Sequence, residues 1–161
     1  MAITDGRPDG YTTLTPFLVC SPAAEAIRFD EDVFAATTVS RMDAPDGTVA
    51  HAELQFPAGR LQLGDPNPQY GLVAPAGRAA DGVSGSTCIY VADVDAVVAV
   101  AVERGATVRE QPATFVTGDR FASVFDPFGH RWAIMTRVED VTPEEADRRL
   151  AEWAASGGLG E

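Results

Sequence analysis

The sequence predicts an α+β fold of two βαβββ modules followed by one helix, and three observations carry that prediction. A shift of 71 residues lays Thr15 on Ser86, Pro22 on Asp93 and Gln62 on Ala133, so first strand, helix start and final strand coincide without a net gap. Self-similarity at one fixed shift marks a duplicated unit. Within each copy the apolar pattern passes from strand alternation to helical spacing and back. The segments "APDG", "PAG" and "DPFG" supply turn residues between the alternating runs.

The first copy opens with an expected strand over residues 13–20. Ser21 is the expected N-cap, with Pro22 in the first helical turn. The helix then runs to about Phe34, with Ala23, Ala26, Ile27 and Phe34 on one face. Strands are expected near residues 37–41, 49–56 and 60–64. "PNPQYGLVAPAGRAADGVSG" is rich in Pro, Gly and Ala and reads as a linker or a loop across a cavity mouth. In the second copy "STCIYV" is the first strand. Asp93 caps a helix with Val94, Val97, Val98, Ala101 and Val102 on one face, and Gly105 closes it. Strands over 107–110, 121–125 and 131–136 complete the unit. Thr142, Pro143 and Glu145 then have the spacing of a capping box, which opens the last helix. The expected organisation is one domain over residues 1–161, with modules at about 11–66 and 84–138 and the helix at about 143–154.

Acidic residues outnumber basic ones 24 to 12, a formal charge of −12. That excess repels phosphate backbones, and no Lys/Arg stripe offsets it, so nucleic acid is not an expected partner. It attracts cationic small molecules, although solubility alone accounts for the same balance. No apolar run approaches the roughly 18 residues of a membrane span, and the N-terminus lacks a basic region followed by an apolar stretch. The expectation is a cytoplasmic protein with no membrane partner. Cys20 and Cys88 have no CxxC spacing and read as buried thiols.

"YTTLTPFLV", "HAELQF", "LQLGDP", "IYVADVDAVVAVAVERGA" and "GDRFASVFDPFGHRWAIMT" resemble the vicinal oxygen chelate superfamily, which includes glyoxalase I, bleomycin-resistance proteins and extradiol dioxygenases. The nearest likeness is to its PhnB-like branch, over about Tyr11 to Asp147. The resemblance implies that the two modules form an open barrel-like cup, the glyoxalase/bleomycin resistance fold, and that the protein is a homodimer. It also implies four metal-ligand positions, one on the first and one on the last strand of each module. Here those positions are Thr15, Gln62, Ser86 and Ala133. A divalent ion of Zn or Fe type wants imidazole, thiolate or carboxylate donors, and these four residues supply none. The expectation is therefore no metal and no cofactor. A second departure is "RFDEDVF". The resembling proteins commonly carry an aromatic after the helical Phe, where this chain has Asp30, which leaves the packing face of that helix open.

Strand alternation then assigns the cup lining. Gln62 and Arg60 face the cup while Leu61 and Leu63 pack behind. His51, Glu53 and Gln55 face it while Ala52, Leu54 and Phe56 do not. Thr15, Phe17 and Val19, then Ser86, Cys88 and Tyr90, then Ala133 and Met135 line the rest. The expected ligand-binding residues are Phe17, His51, Glu53, Gln62, Cys88, Tyr90, Phe121 and Met135, and no catalytic residue is assigned. Polar groups mixed with aromatics and a methionine suit an organic ligand. His51 and Glu53, at i and i+2, have two readings: a base with its orienting neighbour, or half of a polar strand face. His130 reads as a turn residue, Arg131 and Arg120 as ion-pair members or anion holders, Asp126 as the fixer of the "DPFG" turn, and Trp132 as core. No P-loop or nucleophile motif is present. The first functional reading is a metal-free protein that binds, and sequesters, a hydrophobic or cationic compound such as an antibiotic. The alternative is a metal-dependent lyase, isomerase or dioxygenase that uses His51 and Glu53.

Overall fold

A computed structural model describes residues 6–76 and 82–158. The first module contains β1 (Phe17–Val19), α1 (Ala23–Phe34), β2 (Thr37–Asp43), β3 (Val49–Gln55) and β4 (Arg60–Gly64). The second contains β5 (Thr87–Tyr90), α2 (Val94–Glu103), β6 (Thr107–Thr114), β7 (Asp119–Phe125) and β8 (Arg131–Arg137), and α3 (Pro143–Ala155) follows. Each module folds its strands into an open four-stranded sheet, in the orders β1-β4-β3-β2 and β5-β8-β7-β6. The first and last strands of a module run parallel because a helix carries the chain across between them. Phe17 lies opposite Gln62, and Cys88 lies opposite Ala133. The 71-residue shift seen in the sequence is thus the shift that relates the two sheets in register.

One face of each sheet is covered by helix. Ala52, Leu54, Leu61 and Leu63 are buried on that face of the first sheet, and Ala122, Val124, Trp132 and Ile134 on that of the second. A cluster of aromatic rings joins the two. Trp132 sits 4.5 Å from Phe34 and stacks with Phe56 at 6.3 Å, and Phe29 meets Phe128 edge-on at 6.3 Å. The core is therefore shared across the module junction.

Local differences from the expected elements have physical reasons. The first strand is three residues long, because Pro16 has no N–H to give to a ladder and Thr12 and Thr15 spend their hydroxyls on nearby backbone carbonyls. β6 extends past Glu110 through Pro112, which an edge strand tolerates. Ser21 is not the N-cap of α1. Pro22 is, without a side-chain acceptor, and the carboxylate of Asp65 accepts from the Ala23 N–H at 3.1 Å instead. Cys20 is buried, but Cys88 is exposed, since it faces away from the helix side of its sheet. Residues Pro68–Tyr70 of the linker form a 3₁₀ turn, and part of the linker (77–81) lies outside the described residues. Asp93 and Thr142 cap α2 and α3 as their spacing predicts. Asp30 stays on the packing face of α1 and is buried with it. Among the described residues no helix is long and apolar enough to cross a membrane.

Candidate functional site

The faces turned away from the helices carry the candidate residues. On the first sheet, alternation presents His51, Glu53 and Gln55 from β3 and Arg60 and Gln62 from β4, and cross-strand pairing sets Glu53 against Gln62 and Gln55 against Arg60. Phe17 of β1 lies beside Gln62, with its ring 5.9 Å from that of His51. These side chains form a continuous polar chain. His51 Nε2 is 3.7 Å from one oxygen of Glu53, and the Arg60 guanidinium donates to the other at 3.3 Å. Arg60 also donates to Gln55 at 3.1 Å and lies 4.6 Å over the ring of Tyr11. The Gln62 amide donates to the Tyr11 hydroxyl at 3.3 Å. Tyr11 was not singled out by sequence reasoning. It precedes the first strand, and only the fold brings it across to β4.

On the second sheet Tyr90 lies beside Met135, Met135 beside Phe121, and Cys88 beside Ala133. Tyr90 is 59 % exposed, and its hydroxyl donates to Asp119 at 3.4 Å. Partial burial raises the Tyr90 pKa, and the Asp119 charge adds to the rise. Arg131 donates to Glu110 at 3.1 Å, and Arg120 pairs with Asp95 through Nε and Nη2, so each arginine is held in an ion pair. Ser123, directly across from Ala133, is fully buried, and among the described residues its hydroxyl has no hydrogen-bond partner. Glu110 and Ser123 belong to this face and were also missed: Glu110 sits at an irregularity in the register of β6, whereas Ser123 follows Phe121 at i+2 on a regular β7 and was within reach of strand alternation.

Four of the eight predicted residues, Phe17, His51, Glu53 and Gln62, therefore sit together on the first sheet. The other four, Cys88, Tyr90, Phe121 and Met135, sit together on the second. Two cavities flank these faces and enclose neither group. One of about 810 Å³ lies between β1, the loop at Gly82–Ser86 and the turn at Gly129–Arg131, and touches Phe17. The other, of about 180 Å³, lies beside Arg60, Phe56 and Trp132 and touches Cys88. His130 is at the rim of the larger cavity, where its Nε2 meets the Val19 carbonyl at 3.0 Å and ties the second module to β1. Asp126 does fix its turn, accepting from the N–H groups of Phe128 and His130 at 2.9 Å each.

A resident metal ion does not fit these residues. The Thr15 and Ser86 hydroxyls donate to the carbonyls of Thr12 and Arg131, the Gln62 amide is engaged with Tyr11, and Ala133 has no donor atom. His51 and Glu53 supply two donors, but a guanidinium already sits on Glu53. Among the described residues no group of three or more His, Cys, Asp or Glu is placed to hold a metal ion.

Comparison with known proteins gives a consistent family. Residues 12–134 match the model of the Glyoxalase/Bleomycin resistance protein/Dioxygenase superfamily. The uncharacterized protein Rv0887c of Mycobacterium tuberculosis is 35% identical over 139 residues, covering 86% of this chain and 82% of that one. In fold, the chain is similar to TioX from Micromonospora sp. ML1, with a TM-score of 0.59 at 21% identity over 78% of this chain and 98% of that chain. It is also similar to a glyoxalase-related enzyme from Fulvimarina pelagi, with a TM-score of 0.61 at 17% identity over 78% of this chain and 87% of that chain.

Proposed function

The chain belongs to the Glyoxalase/Bleomycin resistance protein/Dioxygenase superfamily, and within it we propose a protein that binds a small hydrophobic or cationic organic compound, such as an antibiotic, without a metal ion. The observation that carries this reading is the donor set: Thr15, Gln62 and Ser86 are engaged within the chain, and Ala133 offers nothing. What the two faces do offer is aromatic and thioether surface from Phe17, Tyr90, Phe121 and Met135, bordered by hydrogen-bonding groups, which is the usual make-up of an organic-ligand site. A net charge of −12 adds attraction for a cation. The proposal includes a homodimer, which the resemblance to this superfamily implies. A sedimentation result of monomer at micromolar concentration removes that part.

The test of the metal-free reading is elemental. Protein purified without chelator is expected to hold well under one equivalent of Zn, Ni, Fe or Mn, and EDTA is expected to leave its melting temperature unchanged. An ion bound only to the folded state would raise that temperature, so chelation would lower it. A stoichiometric ion lost with stability would instead favour the second reading, a lyase, isomerase or dioxygenase centred on the His51–Glu53 pair, whose 3.7 Å separation is its supporting observation.

Ligand contact should depend on Tyr90 and little on His130. Tyr90 offers an exposed ring, and covering such a ring is worth about 1.5–3 kcal/mol. The His130 imidazole is turned to the Val19 carbonyl. For a compound identified by native mass spectrometry of protein taken from its host, Tyr90→Ala is expected to weaken binding at least about tenfold. His130→Ala is expected to change it little. Equal losses from the two substitutions would contradict the assignment.

A further inference from the structure

α1 carries a carboxyl group where its packing face should be apolar. Asp30 is 3 % exposed and shares that face with Ala26, Ile27, Phe29, Val33 and Phe34. Across the module junction, the turn between β7 and β8 buries a second carboxyl, Asp126. The contact of Phe29 with Phe128 packs α1 directly against that turn. The two acids differ in their partners. Asp126 accepts from the N–H groups of Phe128 and His130 and, at 3.0 Å, from the indole N–H of Trp132. No described residue donates a hydrogen bond to the Asp30 carboxyl.

A buried carboxylate with three donors can remain ionised, whereas one with none cannot do so cheaply. Of the two, Asp30 is therefore the carboxyl whose surroundings favour the protonated form. Burial pushes the pKa of Asp30 well above the carboxyl range, and the charges of Asp126 and Glu31 push it further. Burial raises Asp126 too, but its three hydrogen bonds and His130 oppose the rise.

We propose that Asp30 and Asp126 form a proton-dependent latch between the two modules, closed while Asp30 is uncharged and loosened when it ionises. Among the described residues, the charges that act on Asp30 are those of Asp126 and Glu31, and no counter-charge is set against it. On α1 itself, Glu31 accepts from Thr38, and Asp32 is paired with Arg104 of the α2 end at 3.3 Å. On β2, Arg41 is paired with Asp43 at 2.8 Å. Ahead of α1 lies the buried Cys20 thiol, whose pKa burial and the neighbouring carboxyls also raise. Asp65 is engaged with the Ala23 and Val49 N–H groups. The buried residues of β3 are Val49, Ala52 and Leu54, all apolar, and Phe56 just beyond the strand is buried with them. From the turn, His130 reaches Val19 rather than Asp30. That last bond extends the latch, since it joins the turn to β1, which carries Phe17 of the candidate site.

The sign follows from linkage. The folded chain keeps on Asp30 a proton that the unfolded chain releases in the ordinary carboxyl range. The resulting stability is complete below that range. It falls as pH rises, until Asp30 ionises in the folded state as well. The test uses Trp132 as reporter, in a Trp153→Phe background so that it is the single tryptophan. As pH rises above the carboxyl range, Trp132 emission is expected to shift reversibly to the red while the far-UV signal remains folded. The unfolding constant is expected to grow by up to about tenfold per pH unit over the same window. Adding Asp30→Asn should flatten both responses, and Asp30→Leu, which also removes the charge, serves if the amide does not fold. Persistence of the same pH dependence after either substitution overturns the latch. So does its absence with Asp30 in place. A slope that Asp30→Asn removes with no change in Trp132 emission overturns it too, because the carboxyl would then titrate without loosening the junction.

Discussion

Trp132→Ala is expected to destabilise the protein by about 3–5 kcal/mol, the range for deleting a large buried aromatic. Trp132 is 1 % exposed and packs on Phe34 and Phe56, rings that come from the first module while it comes from the second. Its indole N–H also donates to Asp126. The substitution therefore opens a cavity at the seam of two modules and strands part of a buried carboxylate. Urea unfolding reads the effect as a lower midpoint at an unchanged slope. Trp132→Phe keeps most of the apolar area but loses the hydrogen bond, so it should cost about 1–3 kcal/mol. A Trp132→Ala protein within about 1 kcal/mol of the parent, well below that core-truncation range, would show that the modules do not share a core.

Asp65→Ala should cost roughly 3 kcal/mol, the lower end for two hydrogen bonds to one ionised group, because Asp65 is only partly buried. One oxygen accepts from Ala23 at the start of α1 and the other from Val49 at the start of β3, at 3.1 and 2.8 Å. The carboxylate thus stands in for the missing N-cap and pins the helix to its sheet. Ser21→Ala is the control. Its hydroxyl caps nothing, so its removal should stay within about 0.5 kcal/mol, as surface changes do. Thermal unfolding of the two variants side by side separates them, and a larger loss from Ser21→Ala would reverse the assignment of the cap.

These two residues illustrate what was legible in the sequence. Trp132 was readable as core, because strand alternation places it opposite Ala133, and period 2 is a property of the backbone alone. The same periodicity put His51, Glu53 and Gln62 on one face of their sheet, and Cys88, Tyr90 and Met135 on one face of the other. Asp65 gave no such signal. Its partners lie 42 and 16 residues away, and its role exists only when the α1 start and the β3 start meet. Tyr11 was hidden for the same reason, since its contacts with Arg60 and Gln62 span about 50 residues of chain.

The duplicated module, its element order and the faces of β1, β3, β4, β5 and β8 were determined by the sequence by itself. They rest on local quantities: the period of apolar residues, the turn and capping residues, and a repeat visible as a single shift of 71. Only the tertiary structure decided how the donors are spent. It set Arg60 on Glu53, engaged the hydroxyls of Thr15 and Ser86 with backbone, and buried Asp30 on the face that packs toward Asp126. Which polar group meets which, and which meets none, depends on the docking of two sheets and two helices around one core. A carboxyl group's charge state follows from that docking, because its cost in an apolar junction is set by the donors and charges the fold brings within reach.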